Sequence, residues 1–269
     1  MLEAATALVN ETGLTVSLEH ISLEEVIRAA GVSRSAAYRR WPYKDLFFSD
    51  LLKELARAAS PGILDDSETL ELVRQIVAEH SDWLATPESR NQLVLELIRQ
   101  AALRDFEWVL GSKEWRTYLA LHATFLSLAD GELRDELQAI LAHSEEAFVA
   151  RIAEAWRRMA DLLGLRLRPE VGATYETLAS LLSTSLRGLV LMALATPDVA
   201  TRRITARPFG TGESSEWSLV ALAAASIAYG LLEPDPAFTL GEERLAAIRG
   251  ALESVDLERV VVPLGDGPA

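Results

Sequence analysis

The chain has 269 residues, 49% of them hydrophobic, and no cysteine, so it can bury a large core but cannot build a disulfide framework, a thiolate zinc site or a cysteine redox switch. Its 26 Lys and Arg against 40 Asp and Glu leave a net charge of −14, which for the chain as a whole argues against a polyanionic partner. The distribution reverses that impression. Residues 1–60 carry a net charge of −1 and residues 61–269 the rest, and the stretch Arg28 to Lys44 holds five cations (Arg28, Arg34, Arg39, Arg40, Lys44) and no acid.

Met1 to Val9 carries Glu3 and no basic cluster, and its apolar run is too broken for a secretory signal, so a cytoplasmic protein is expected. Nearly every segment repeats apolar residues at three- and four-residue spacing, which predicts an all-α fold. Leu2 to Thr12 forms a first helix, ended by Gly13 as a left-handed cap. Ser22-Leu23-Glu24-Glu25 has capping-box spacing and starts a second helix that Gly31 breaks. Ser33 caps a third, from Arg34 to about Arg40, which Pro42 ends, and a fourth begins near Lys44. Two short helices about a tight glycine turn have the layout of a helix-turn-helix.

The residues carry more than the layout. Ala29-Ala30-Gly31-Val32-Ser33, followed by Tyr38-Arg39-Arg40-Trp41-Pro42-Tyr43-Lys44-Asp45-Leu46-Phe47, closely resembles the DNA-binding domain of the TetR family of transcriptional regulators. The resemblance covers about residues 2–55. It implies an N-terminal three-helix helix-turn-helix domain, residues 1–60, and a larger helical-bundle domain for ligand sensing and dimerisation, residues 61–269. It also implies a homodimer on a double-stranded DNA operator, a repressor released by an apolar or amphipathic effector. Three departures stand out. The family's short basic arm has no counterpart in Met1-Leu2-Glu3, so its contacts are not expected. Ile27 and Ala37 stand where the family tends to have a small residue and a Leu, and are expected to pack together with total volume kept. Tyr43 occupies a position where a small capping residue is usual.

In a helix-turn-helix the second helix enters the major groove N-terminus first, which places Arg34, Ser35 and Ala36 nearest the base edges, with the cap Ser33 a further candidate DNA contact. Arg34 suits guanine O6 and N7 or a phosphate equally well. Tyr38, Arg39, Arg40 and Lys44 suit phosphate oxygens, Tyr38 and Lys44 most strongly by resemblance. Trp41 is read as core.

From Pro61 onward helices are expected at Glu68–Leu84, Pro87–Leu110, Lys113–Leu128, Glu132–Leu163, Pro169–Ala195, Glu216–Leu232 and Glu242–Ser254. A surface loop rich in proline, glycine and arginine is expected between Pro197 and Ser215, and only Val260 to Val262 looks strand-like. Trp217 to Leu232 is uncharged but only 16 residues long, short of the roughly 20 that span a bilayer, so it reads as a bundle helix and no membrane is expected. Trp83, Phe106, Trp115, Tyr118, His122, Phe125, Phe148 and Tyr175 are the candidates to line an effector cavity, although aromatics at this spacing also serve as ordinary core. Leu178, Leu182, Ser185 and Leu189 on one helix, with Leu219, Ala223 and Ile227 on another, are the candidates for an intermolecular four-helix bundle.

No cofactor or metal is expected. The four histidines (His20, His80, His122, His143) show no helical zinc-hydrolase or di-metal spacing, and there is no glycine-rich phosphate loop and no Gly-x-Ser-x-Gly turn. The competing readings are a helical adaptor that does not bind DNA and a helical-bundle enzyme.

Overall fold

The computed structural model describes residues 1–12, 21–58, 66–210, 214–239 and 241. In chain order these form α1 (Leu2–Thr12), α2 (Leu23–Ala29), α3 (Arg34–Arg40), α4 (Lys44–Ala58), α5 (Asp66–Glu79), α6 (Pro87–Gly111), α7 (Lys113–Ser127), α8 (Glu132–Leu163), β1 (Leu165–Leu167), α9 (Tyr175–Ala195), α10 (Asp198–Thr201), β2 (Arg203–Ala206), β3 (Ser215–Ser218), α11 (Leu219–Leu231) and β4 (Leu232–Pro234). The all-α class holds, with an N-terminal helix-turn-helix followed by a larger set of helices. The expected features at Gly13, Glu242–Ser254 and Val260 to Val262 lie outside the described residues.

The chain forms two compact units, Met1–Gly62 with Gly111–Phe148 and Ile63–Leu110 with Val149–Ala269. In the first, α1 to α4, α7 and the start of α8 surround a core of Val9, Ile21, Val26, Phe47, Leu51, Leu55 and Leu121, with Ile27 and Ala37 both buried in it. Ser112 caps α7 by accepting from the Trp115 N–H at 3.2 Å. In the second, α9 packs on α11 around Leu93, Leu97, Leu178, Ala221, Ala225 and Ala228.

Several boundaries differ from expectation for local reasons. The helix expected to run to Leu84 stops at Glu79, because His80 leaves helical geometry, and a 3-10 turn covers Ser81–Leu84. Pro169–Val171 is likewise a 3-10 turn ended by Gly172 at φ +63°, and α9 starts only at Tyr175, where Thr174 and Thr177 form a reciprocal capping box. The stretch expected as a loop between Pro197 and Ser215 contains α10 and β2. Here β2 pairs antiparallel with β3, Arg203 opposite Ser218 and Ile204 opposite Trp217, so Glu216 to Ser218 are strand and α11 begins at Leu219. A second pair, β1 with β4, sets Leu165 opposite Pro234. Strands of three or four residues are too short to write an alternating pattern into the sequence.

Candidate nucleic-acid interface

The turn between α2 and α3 is set by backbone geometry. Gly31 sits at φ +65°, its N–H donates to the Arg28 carbonyl at 3.2 Å, and the Val32 N–H reaches back to the Ile27 carbonyl at 3.3 Å. These two bonds make a Schellman motif, and they satisfy carbonyls that the end of α2 would otherwise leave unpaired. Ser22 stands at the start of α2 in extended geometry but makes no side-chain cap, so the capping box expected there does not form. Ser33 does cap α3, its Oγ accepting from the Ala36 N–H at 3.3 Å. Trp41, before Pro42, leaves helical geometry at φ −126°, ψ 85°, in line with the steric bias of a residue that precedes proline, and α3 stops at Arg40.

The register of α3 divides its side chains. Ala37 faces the core at 3% exposure, whereas Ser33, Arg34, Ser35, Tyr38, Arg39 and Arg40 are exposed and Ala36 is partly buried. Lys44 opens α4 with its ammonium 4.9 Å from the Phe48 ring centroid, exposed at the helix start. The eight expected DNA-contact residues therefore lie on one short helix with its cap and on the first residue of the next. Trp41 packs edge-on against Phe47 at 5.2 Å and its indole N–H donates to Asp50 at 2.9 Å, which ties the loop after α3 to α4.

Two residues missed in the sequence belong to this surface. Asp50 also lies 3.9 Å from the Arg40 guanidinium. Glu24, on α2, lies 2.5 Å from Nη2 of Arg34 and accepts from the Tyr38 hydroxyl at 3.4 Å. Neither shows in the sequence, because the placing of α2 against α3 brings Glu24 beside Arg34, and the placing of α4 brings Asp50 beside Arg40 and Trp41.

The eight expected effector residues divide between the units. Trp115, Tyr118 and Phe148 are buried together in the first unit, with ring centroids 5.5 and 5.8 Å apart. There the Tyr118 hydroxyl donates to Glu145 at 2.6 Å, His122 Nδ1 lies 3.1 Å from the Tyr118 carbonyl, and Phe125 packs under the Arg134 guanidinium. Trp83, stacked on His80 at 3.9 Å, the buried Phe106 and Tyr175 belong to the second unit. Clefts of about 550 and 360 Å3 in the first unit are lined by residues of α1, α4 and α8 together with Arg40 and Trp41, and none of the eight takes part.

Of the expected pairing residues, Leu178 is fully buried in its own unit's core. Leu182, Ser185, Leu189, Leu219, Ala223 and Ile227 are partly buried. The openly exposed apolar side chains of α9 and α11 are instead Leu181, Leu191, Met192, Leu194 and Tyr229. By length and composition α9 could also cross a membrane, with a mean hydropathy of 1.7 over its best window.

Two short helices about a left-handed glycine, the second capped and presenting cations and a phenol, have the arrangement of a helix-turn-helix. The chain is similar to HTH-type transcriptional regulators of Mycobacterium bovis and Mycobacterium tuberculosis, at 37% identity over 79 residues in each case. That match takes in 29% of this chain and 40% of the relatives' length. No protein-family model matches. Among solved structures, a chain described as a transcriptional regulator from Rhodococcus sp. RHA1 aligns at TM-score 0.42 and 19% identity, covering 74% of this chain and 87% of that one. SmeT, repressor of the Stenotrophomonas maltophilia multidrug efflux pump SmeDEF, aligns at TM-score 0.39 and 17% identity, covering 89% and 92%.

Proposed function

We propose that the protein is a homodimeric, cytoplasmic transcriptional regulator of TetR type, with a DNA-binding domain at residues 1–60 and a sensing and dimerising domain at residues 61–269. The observation that carries the reading is the exposed face of α3, with Arg34, Ser35 and Tyr38 projecting from a helix whose buried side is fixed by Ala37 and whose start is capped by Ser33. Arg34 and Ser35 read base edges, while Tyr38, Arg39, Arg40 and Lys44 hold phosphates. Two copies related by two-fold symmetry place their α3 helices about 34–36 Å apart on a palindromic operator. An apolar or amphipathic effector held in the sensing domain lowers operator affinity. By linkage the operator then lowers effector affinity by the same factor.

The test is selection from a randomised duplex library followed by binding titrations across salt concentrations. Lys44→Ala weakens all duplexes alike and reduces the salt slope by about one, Tyr38→Phe weakens them alike, and Arg34→Ala relaxes preference at one position per half-site. Failure of the wild-type protein to retain any duplex at low salt overturns the reading.

A further inference from the structure

Glu24 is the acid of this surface. One of its carboxylate oxygens lies 2.5 Å from Nη2 of Arg34, and the other accepts from the Tyr38 hydroxyl at 3.4 Å. Arg34 and Tyr38 are four residues apart on α3 and so share one face of the helix. They are the two side chains to which the DNA-binding reading gives base recognition and phosphate positioning, and a single carboxylate from α2 holds both.

Stability is a poor reason for this arrangement. The side chains of Arg34 and Glu24 are 75% and 42% exposed, and ion pairs between exposed groups contribute little. The start of α2 does not need Glu24 either, because Glu25 stands in the same first turn and answers the helix dipole equally well. What Glu24 does have is a position beside a surface that would face phosphates, where an acid is repelled and a neighbouring cation is partly neutralised.

We propose that Glu24 is a specificity-determining residue, which restrains Arg34 on arbitrary DNA and releases its reading capacity on the right base. The inference rests on the DNA-binding reading above. On a random duplex the partners open to Arg34 are phosphate oxygens, and reaching them leaves the Glu24 carboxylate uncompensated close to other phosphates. On the operator, the guanidinium can keep one edge on Glu24 and turn the other to O6 and N7 of a guanine, because its five N–H groups form a fixed fork with more than one usable edge. The same carboxylate then fixes the plane in which Arg34 reads. Glu24 thus weakens non-specific binding more than specific binding.

The experiment compares a duplex enriched by the wild-type protein from a randomised library with a shuffled duplex of the same composition. Affinities are titrated across salt for the wild type, Glu24→Gln, Glu25→Gln, Arg34→Ala and the Glu24→Gln/Arg34→Ala double variant. Glu24→Gln is expected to tighten the shuffled duplex by about tenfold, the lower end of the scale of one additional charge-assisted hydrogen bond, and to steepen its salt slope by about one. The enriched duplex changes less, so the specificity ratio falls. Glu25→Gln, which removes the same charge from the same turn, leaves the ratio intact, and the Glu24 effect disappears once Arg34 is Ala. An unchanged or higher ratio in Glu24→Gln, the same effect from Glu25→Gln, or an effect that persists without Arg34 overturns the proposal. Melting curves check that the variants fold. A wild-type protein that retains no duplex overturns the DNA-binding reading and this role with it, whereas wild-type binding with an unaltered ratio overturns the role of Glu24 alone.

Discussion

Asp105, partly buried on α6 with Arg104 as its neighbouring cation, is pushed up to about 6 because desolvation disfavours the charged form more than Arg104 favours it. A carboxyl raised in the folded state binds more protons there than in the unfolded chain, so stability falls as pH rises. The contribution is complete below the ordinary value near 3.8, is lost as pH passes through about 6, and is absent at pH 7. Asp105→Asn keeps the shape without the charge and should therefore melt a few degrees higher than wild type at pH 7 and equally at pH 4. Melting curves recorded across that range that run parallel for the two proteins would show that Asp105 is not desolvated. Glu96, on the same helix, goes the other way. Burial acts to raise it, but hydrogen bonds from Arg99 and Gln100, aided by the Arg99 and His80 charges, bring it below the usual range.

Between α2 and α3 the glycine is required by backbone geometry and not by crowding. A Cβ at Gly31 would meet nothing within 4 Å, yet φ is +65°. Gly31→Ala is expected to cost about 1–2 kcal/mol through left-handed strain alone, measured by chemical denaturation, and to weaken DNA binding only as far as the α3 register shifts. A neutral substitution would mean that the turn relaxes at no cost. This element was legible in the sequence because its determinants are local: a glycine at a helix end, a serine cap and a proline stop within a dozen residues. The long helices α6, α7 and α8 were legible for the same reason, their apolar period repeating over many turns. The β2–β3 hairpin was hidden because its order depends on pairing between short segments. It is fastened by Phe209, which adopts φ +60° and stacks on Tyr229 of α11 at 4.4 Å. Glu24 and Asp50 were hidden because their partners are set by how helices cross, which periodicity does not encode.

At the scale of the whole molecule, α9 has an apolar surface that the described residues of its own unit do not cover. Only 28% of its most apolar window is buried, through residues such as Leu178, Ala179, Val190 and Ala193, while Leu181, Leu191 and Met192 are each about half exposed. Exposed apolar side chains along one helix are the kind of surface that interfaces use. A second copy fits it better than a bilayer. Arg187 lies in the middle of the helix, where hydrocarbon would penalise it, and one side of α9 is already committed to α11. Leu181, Gly188, Leu191 and Ala195 fall at intervals of seven, three and four, a single helical stripe, and a Cβ at Gly188 would meet nothing within 4 Å, so another helix can approach closely there. The Leu191→Glu/Met192→Glu variant, altered only at exposed positions, should keep its helical circular dichroism and sediment as a monomer where the wild type sediments as a dimer. Because a monomer engages one half-site, its affinity for a full operator should fall towards that for a half-site, whereas wild-type affinity depends on both. Wild-type protein that is monomeric and co-sediments with lipid vesicles would assign the same face to a membrane and remove the geometric basis for two-fold operator recognition.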